Sequence, residues 1–174
     1  MTLYTIGHST YSIETFLGLL VQNEIAILVD VRSFPGSRRW PQFNQFELKA
    51  SVECAGLSYA WFKVLGGRRR SSLHDSPHKA WEHAALRAYA EYGDTAEFDL
   101  GVAQLSELAA ARRSAIMCAE GLWWRCHRRI IADHMTVLGC QVLHIMPGGR
   151  LVTHSLPNFA RLDGARIIYD GEAG

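Results

Sequence analysis

The chain has no apolar run long enough to cross a bilayer, and no basic segment leading into an apolar stretch near its start. Neither a transmembrane helix nor a signal peptide is therefore expected. Its four cysteines lack the dense spacing of a small disulfide scaffold, which excludes that class and points to a reducing cytoplasm. No C-x-x-C pair occurs, which argues against a zinc ribbon or finger. Internal repeats and linker-like stretches are missing too. The formal charge is only +1, so there is no global excess to suit a polyanion. What remains is 174 residues with 48% apolar content, enough for one well-cored domain spanning 1–174.

The hydrophobic pattern has a β-α-β rhythm. Leu3 to Ile6 is β-like. Ser12 can cap a helix whose apolar face is Ile13, Phe16, Leu17, Leu20 and Val21. Ile25 to Val29 is continuously apolar, as in a strand buried on both faces. A loop punctuated by Pro35, Gly36 and Pro41 follows, then a short helix from Phe46 to Ala55 and a third strand from Leu57 to Phe62. Arg69 to Pro77 reads as a mobile loop. Helices are expected over Ala80–Tyr92 and Phe98–Ala111, a strand over Ser114–Met117, a helix over Arg128–Leu138, and a fifth strand over Gln141–Ile145. Leu151–Thr153 and Ile167–Tyr169 suggest a small ribbon in the tail 150–174. The fold class implied is a Rossmann-like three-layer α/β/α domain with a mainly parallel sheet of about five strands.

Chemistry-bearing residues gather where strands end. His8 and Ser9 follow the first strand, Asp30 and Arg32 the second, Cys118 and Glu120 the fourth. In a parallel sheet these ends share one edge, where open α/β folds bind ligands. Two thiols, a carboxylate, an imidazole and a guanidinium fall within the eleven residues from Cys118 to Arg128. Cys126 sits at a helix start beside Arg125, His127 and Arg128, surroundings that favour thiolate. Cys54 and Cys140 have no such neighbours and are expected in the core. Glu120 is either a general base or a bidentate partner for Arg128 or Arg32. Three arginine groups (32, 38, 39; 68, 69, 70; 125, 128, 129) form an anion-attracting mouth only if the fold unites them. Trp123 and Trp124 either stack on a ligand ring or pin the loop. Cys118, Cys126 and His127, with His8, could supply a metal, but adjacent cysteine and histidine rarely point the same way on a helix, so metal is the weaker reading; the residues name no cofactor.

Several motifs occur in a telling order: Thr5-Ile-Gly-His-Ser9, Leu28-Val-Asp-Val-Arg32, Pro35-Gly-Ser-Arg38, Leu65-Gly-Gly-Arg68, Met117-Cys-Ala-Glu120 and Cys126-His-Arg128. In this order they resemble the DUF488 family over nearly the whole chain. The resemblance implies a cytoplasmic, Rossmann-like prokaryotic domain with an active site but no established reaction. It departs from the family pattern at Gly121-Leu-Trp-Trp-Arg125, a stretch that is usually polar. Asp30-Val-Arg32 and the strand-end Cys118 are also similar to rhodanese sulfurtransferases and their phosphatase relatives. However, a C-x5-R pattern fails, since Trp124 and Ala132 stand where arginine belongs.

The functional expectation is an enzyme with an anion-lined cleft, acting on a nucleotide, a nucleic-acid end or another small phosphorylated ligand, with no membrane partner. His8, Asp30, Cys118, Glu120, Cys126 and His127 form its expected catalytic set. Ser9, Arg32, Ser37, Arg38, Arg68 and Arg128 are its expected anion-binding set. The alternatives are sulfur transfer through Cys118 and a non-catalytic nucleic-acid-binding module.

Overall fold

The computed structural model describes residues 1–71 and 74–171. Residues 72 and 73 of the expected loop, and 172–174 of the tail, lie outside the described residues. In chain order the elements are β1 (Thr2–Gly7), α1 (Ile13–Gln22), β2 (Ile27–Asp30), α2 (Gln45–Cys54), β3 (Ser58–Trp61), α3 (Ala84–Gly93) and α4 (Ala96–Ala111). There follow β4 (Ser114–Cys118), α5 (Arg128–Val137), β5 (Gln141–Ile145), β6 (Leu151–Thr153), β7 (Ala160–Asp163) and β8 (Arg166–Tyr169).

The central sheet has six strands in the order β3-β2-β4-β1-β5-β6. The first five are parallel and β6 runs antiparallel beside β5. Alternation along the strands divides the core. Leu3, Ile27, Val29 and Ile116 face α3, α4 and α5, whereas Tyr4, Ile6, Leu28, Ala115 and Met117 face α1 and α2. This is the expected three-layer arrangement. Each fully buried Leu, Ile or Phe contributes about 1.5–3 kcal/mol of transfer free energy.

Local chemistry sets the element ends. Ser12 caps α1 by accepting the Thr15 N–H at 3.2 Å, and Thr95 caps α4 by accepting the Phe98 N–H at 3.3 Å. Gly56, at φ +81, closes α2 in a conformation that disfavours a side chain.

Several expectations shift. Leu19 is buried in α1, while Val21 is 54% exposed. The helix expected from Ala80 begins only at Ala84, because the Ala80 N–H is tied to the Tyr169 carbonyl and Trp81 packs against Phe159 and Tyr169. Leu151–Thr153 extends the main sheet rather than joining a tail ribbon, so the sheet has six strands and β7–β8 form a separate hairpin. Cys140 is buried, but Cys54 is exposed at the end of α2. Among the described residues, no helix is long and apolar enough to cross a membrane.

Candidate active site: a thiol cluster beneath a cationic mouth

The parallel ladder continues past the strand ends. The His8 and Ser9 N–H groups donate to the Cys118 and Ala119 carbonyls at 2.9 and 3.0 Å, and the Val31 N–H donates to Met117 O at 3.0 Å. The loops after β1, β2 and β4 therefore make one floor. Gly7 permits it: a Cβ there would stand 2.0 Å from Glu120 O. Above this floor opens a cavity of about 510 Å³.

Nine expected residues line the cavity: His8, Ser9, Arg32, Ser37, Arg68, Cys118, Glu120, Cys126 and His127. Three do not. Asp30 is fully buried beneath Arg32, Arg38 is exposed outside the lining, and Arg128 is buried behind Cys126. One arginine from each sequence group reaches the cavity, namely Arg32, Arg68 and Arg125. Their neighbours are diverted. Arg39 lies over Trp40, Arg69 lies 3.5 Å from the Tyr92 ring centroid, and Arg129 sits among Trp81, Trp123 and Phe159.

At the bottom, Cys118 Sγ, Cys126 Sγ and one ring nitrogen of His127 lie within 4.8 Å of one another. His127 Nδ1 is 3.5 Å from Cys126 Sγ and 3.9 Å from Cys118 Sγ. Its Nε2–H donates to the Val31 carbonyl at 2.9 Å, leaving Nδ1 to the sulfurs. Gly67 packs on the ring, where a Cβ would approach Nδ1 to 2.3 Å. The expected divergence of Cys126 and His127 fails because α5 starts at Arg128. Cys126 is still extended at φ −123, ψ 150, and His127 is the N-cap. Both side chains can therefore turn to the same side.

Arg128 supports the cluster from behind. Its Nε–H donates to Cys126 Sγ at 3.4 Å, and its remaining groups hold the Glu120 carbonyl and Thr5 Oγ1. Burial opposes charge on Cys126. The Cys118 S–H, His127 and Arg128 outweigh it and hold that thiol well below its ordinary range. The same thiol contact, together with burial, pushes Cys118 well up. Of the two thiols, Cys126 is therefore the one whose surroundings favour the thiolate.

The other groups fall into two kinds. Asp30 and Arg32 form a buried bidentate pair (Nε and NH2 to the carboxylate, 2.6–3.1 Å), with Tyr59 O–H on Asp30 and Arg32 NH1 on Phe43 O. Asp30 thus orients Arg32. His8 stacks on Phe43 at 4.2 Å and donates Nδ1–H to Ser9 O, leaving a buried Nε2 with no partner among the described residues. Burial, reinforced by Arg32, lowers its pKa to about 4, so the ring is neutral near pH 7. Ser9 holds φ +46, a left-handed conformation that costs a non-glycine residue about 1 kcal/mol. Ser37 Oγ accepts the Trp40 N–H at 2.9 Å and shapes the mouth. Glu120 is exposed; its carbonyl, not its carboxylate, meets Arg128, so neither expected bidentate pair forms.

Sequence reasoning missed Ser33, Phe34 and His83 in the lining, and it named Arg125 only as a neighbour of Cys126 and a member of an arginine group. Phe34 is 66% exposed beneath the Arg68 guanidinium. Its position in the loop after β2 was the available signal. His83 carried none, since only the crossing of α3 brings it near. Trp123 pins its loop by stacking on His144 at 4.0 Å and 5°.

Behind the cluster runs a buried chain of hydrogen bonds. Arg128 NH1 reaches Thr5 Oγ1 at 3.4 Å, Thr5 meets His144 Nδ1 at 2.7 Å, and His144 Nε2 meets His154 Nδ1 at 3.0 Å. His154 Nε2 meets Asp133 Oδ1 at 2.7 Å, and Tyr169 O–H donates to Asp133 Oδ2 at 2.8 Å. One set of tautomers satisfies every link, each group donating toward Asp133.

Fold and floor together define a three-layer α/β domain with a thiol-bearing cavity at the carboxyl edge of its sheet. The chain belongs to the family described as "Domain of unknown function DUF488", which matches residues 12–135. No curated protein and no solved structure matches the chain.

Proposed function

We propose that the chain is an enzyme that uses the Cys126 thiolate as a nucleophile on a small anionic ligand, with a phosphorylated, nucleotide-sized compound as the favoured class. The observation carrying this reading is a sulfur held by Arg128, His127 and Cys118 on the floor of a cavity rimmed by Arg68 and Arg125. The volume of about 510 Å³ lies within the range of small-molecule sites. Phe34 and Trp40 offer ring faces beside the arginines, a pairing suited to a base and its phosphate.

In the proposed step the Cys126 sulfur bonds to the electrophilic centre while the bond to the leaving group breaks. The leaving group departs with that electron pair and takes the proton of Cys118 S–H. Water then cleaves the covalent intermediate, hydrogen-bonded to His8 Nε2 and giving its proton to Glu120. Cys126 is released as thiolate, and the proton held by Glu120 returns through solvent to Cys118, which closes the cycle. The test is alkylation by iodoacetamide at pH 7 with peptide mapping. Cys126 should react at least tenfold faster than the exposed Cys54 (internal control), and phosphate or nucleoside phosphates should protect it. Equal rates at the two cysteines would overturn the reading.

Sulfur transfer is the second reading, favoured by two thiols whose sulfurs lie within 4.8 Å of each other. In this reading Cys126 rather than Cys118 carries the persulfide, because Arg128 Nε and His127 Nδ1 lie 3.4 and 3.5 Å from its sulfur and its surroundings favour the thiolate. On incubation with thiosulfate, Cys126 attacks the outer sulfur, the S–S bond breaks and sulfite leaves, which should add the mass of one sulfur atom in wild type and none in Cys126→Ser.

A further inference from the structure

We infer that Cys118 Sγ, Cys126 Sγ and His127 Nδ1 form a binding site for a soft divalent cation, zinc foremost, with its fourth coordination position open to the cavity. The distances suit such an ion. Tetrahedral zinc with Zn–S of about 2.3 Å and Zn–N of about 2.05 Å sets its sulfur and nitrogen ligands about 3.6 Å apart. The corresponding separations here are 3.5 and 3.9 Å. With all three donor atoms within 4.8 Å of one another, an ion can enter with ligand shifts of about an ångström or less.

Orientation agrees with distance. His127 gives Nε2–H to the Val31 carbonyl at 2.9 Å, the backbone anchor that fixes a ligating imidazole in the tautomer whose other nitrogen is free. Arg128 Nε–H on Cys126 Sγ steadies one sulfur ligand from behind. Cys118 ends β4 and His127 caps α5, so both ligands sit on regular elements. Two sulfurs and one imidazole, with no carboxylate in the set, select zinc over magnesium or calcium.

An independent observation points into the same space. His8 is 3% exposed and lines the cavity, and its Nε2 has no partner among the described residues. A buried acceptor of this kind is matched by a ligand or water held at an open coordination position. Two thiolates, an imidazole and an open site constitute a donor set known for catalytic rather than structural zinc. On loading, Cys118 gives its proton to solvent as its sulfur bonds the ion, and no electron is transferred.

The inference shares Cys126 with the nucleophile proposed above, and an ion and a covalent adduct there exclude each other. Titrating the reduced, chelator-treated full chain with Co²⁺ should give one equivalent with thiolate charge-transfer absorption and intense four-coordinate d–d bands, displaced by Zn²⁺. Cys118→Ser and His127→Gln should each weaken binding by more than about 100-fold, beyond what an outer ligand partner contributes, while Cys54→Ser should not change it. Zn²⁺ should also suppress alkylation of Cys126. Fast alkylation of Cys126 with no cobalt spectrum in wild type would overturn the metal site and leave the nucleophile standing. A cobalt spectrum with slow alkylation of the metal-free chain would do the reverse.

Discussion

Acid should unfold this protein steeply, through three histidines kept neutral by the fold. Burial, reinforced by the Arg32 charge, takes His8 to about 4. Burial, with His78 adding and Asp94 opposing, takes His134 to about 4. Burial, with His154 and Arg128, takes His144 to about 3. In the unfolded chain each titrates near 6.5. Folded pKa values below the unfolded one mean that stability is fully present above 6.5 and is lost as pH falls toward 4 or 3. At pH 5 each group has cost about 2 kcal/mol relative to pH 8, so the three together cost about 6 kcal/mol, comparable to the whole stability of a small domain. The slope there approaches about 4 kcal/mol per pH unit, three protons' worth. Urea titrations followed by fluorescence of the five tryptophans at pH 8, 7, 6 and 5 measure this directly. His144→Gln should remove about one third of the pH dependence, as one group of three. A stability that changes by less than about 1 kcal/mol between pH 8 and 5 would refute neutral burial of these rings.

Other perturbations separate structural from chemical roles. Gly67→Ala drives a methyl into the His127 ring; it should cost about 1–3 kcal/mol and slow Cys126 alkylation, both read on the purified variant. Glu120→Gln changes an exposed carboxylate with no ion pair among the described residues. Urea stability should stay within about 0.5 kcal/mol, while turnover of any anion that protects Cys126 falls at least tenfold. Asp133→Asn leaves either the His154 N–H or the Tyr169 O–H facing an amide N–H₂, so urea stability should drop by about 1–3 kcal/mol.

Much of the site was legible because strand ends obey topology. His8, Arg32 and Cys118 could be placed on one edge from the β-α-β rhythm alone. Side-chain destinations were not legible. Arg128 follows the reactive pair directly, yet turns under the sheet to Thr5, a contact 123 positions away. Arg38 and Arg68 look alike in sequence, but the Arg68 N–H is tied to Ser33 Oγ at 2.9 Å, holding its loop at the mouth. The shared direction of Cys126 and His127 was not legible because both precede α5, where no helical period fixes the side chains. Had the helix begun at Cys126, the two side chains would have been about 100° apart around its axis. Val21 and Leu19 exchanged roles for a similar reason, since which flank of a broad apolar stripe is covered depends on the neighbouring layer.

The relay behind Cys126 has a spectroscopic consequence. Its ring protons at His144 and His154 sit in links of 2.7–3.0 Å, shielded from water on rings that are 1% and 5% exposed. They should exchange with deuterium only when β6 peels from β5, and should give sharp, far-downfield proton resonances. Those two signals would act as resident reporters, shifting whenever charge at the far sulfur changes, with no label added to the protein.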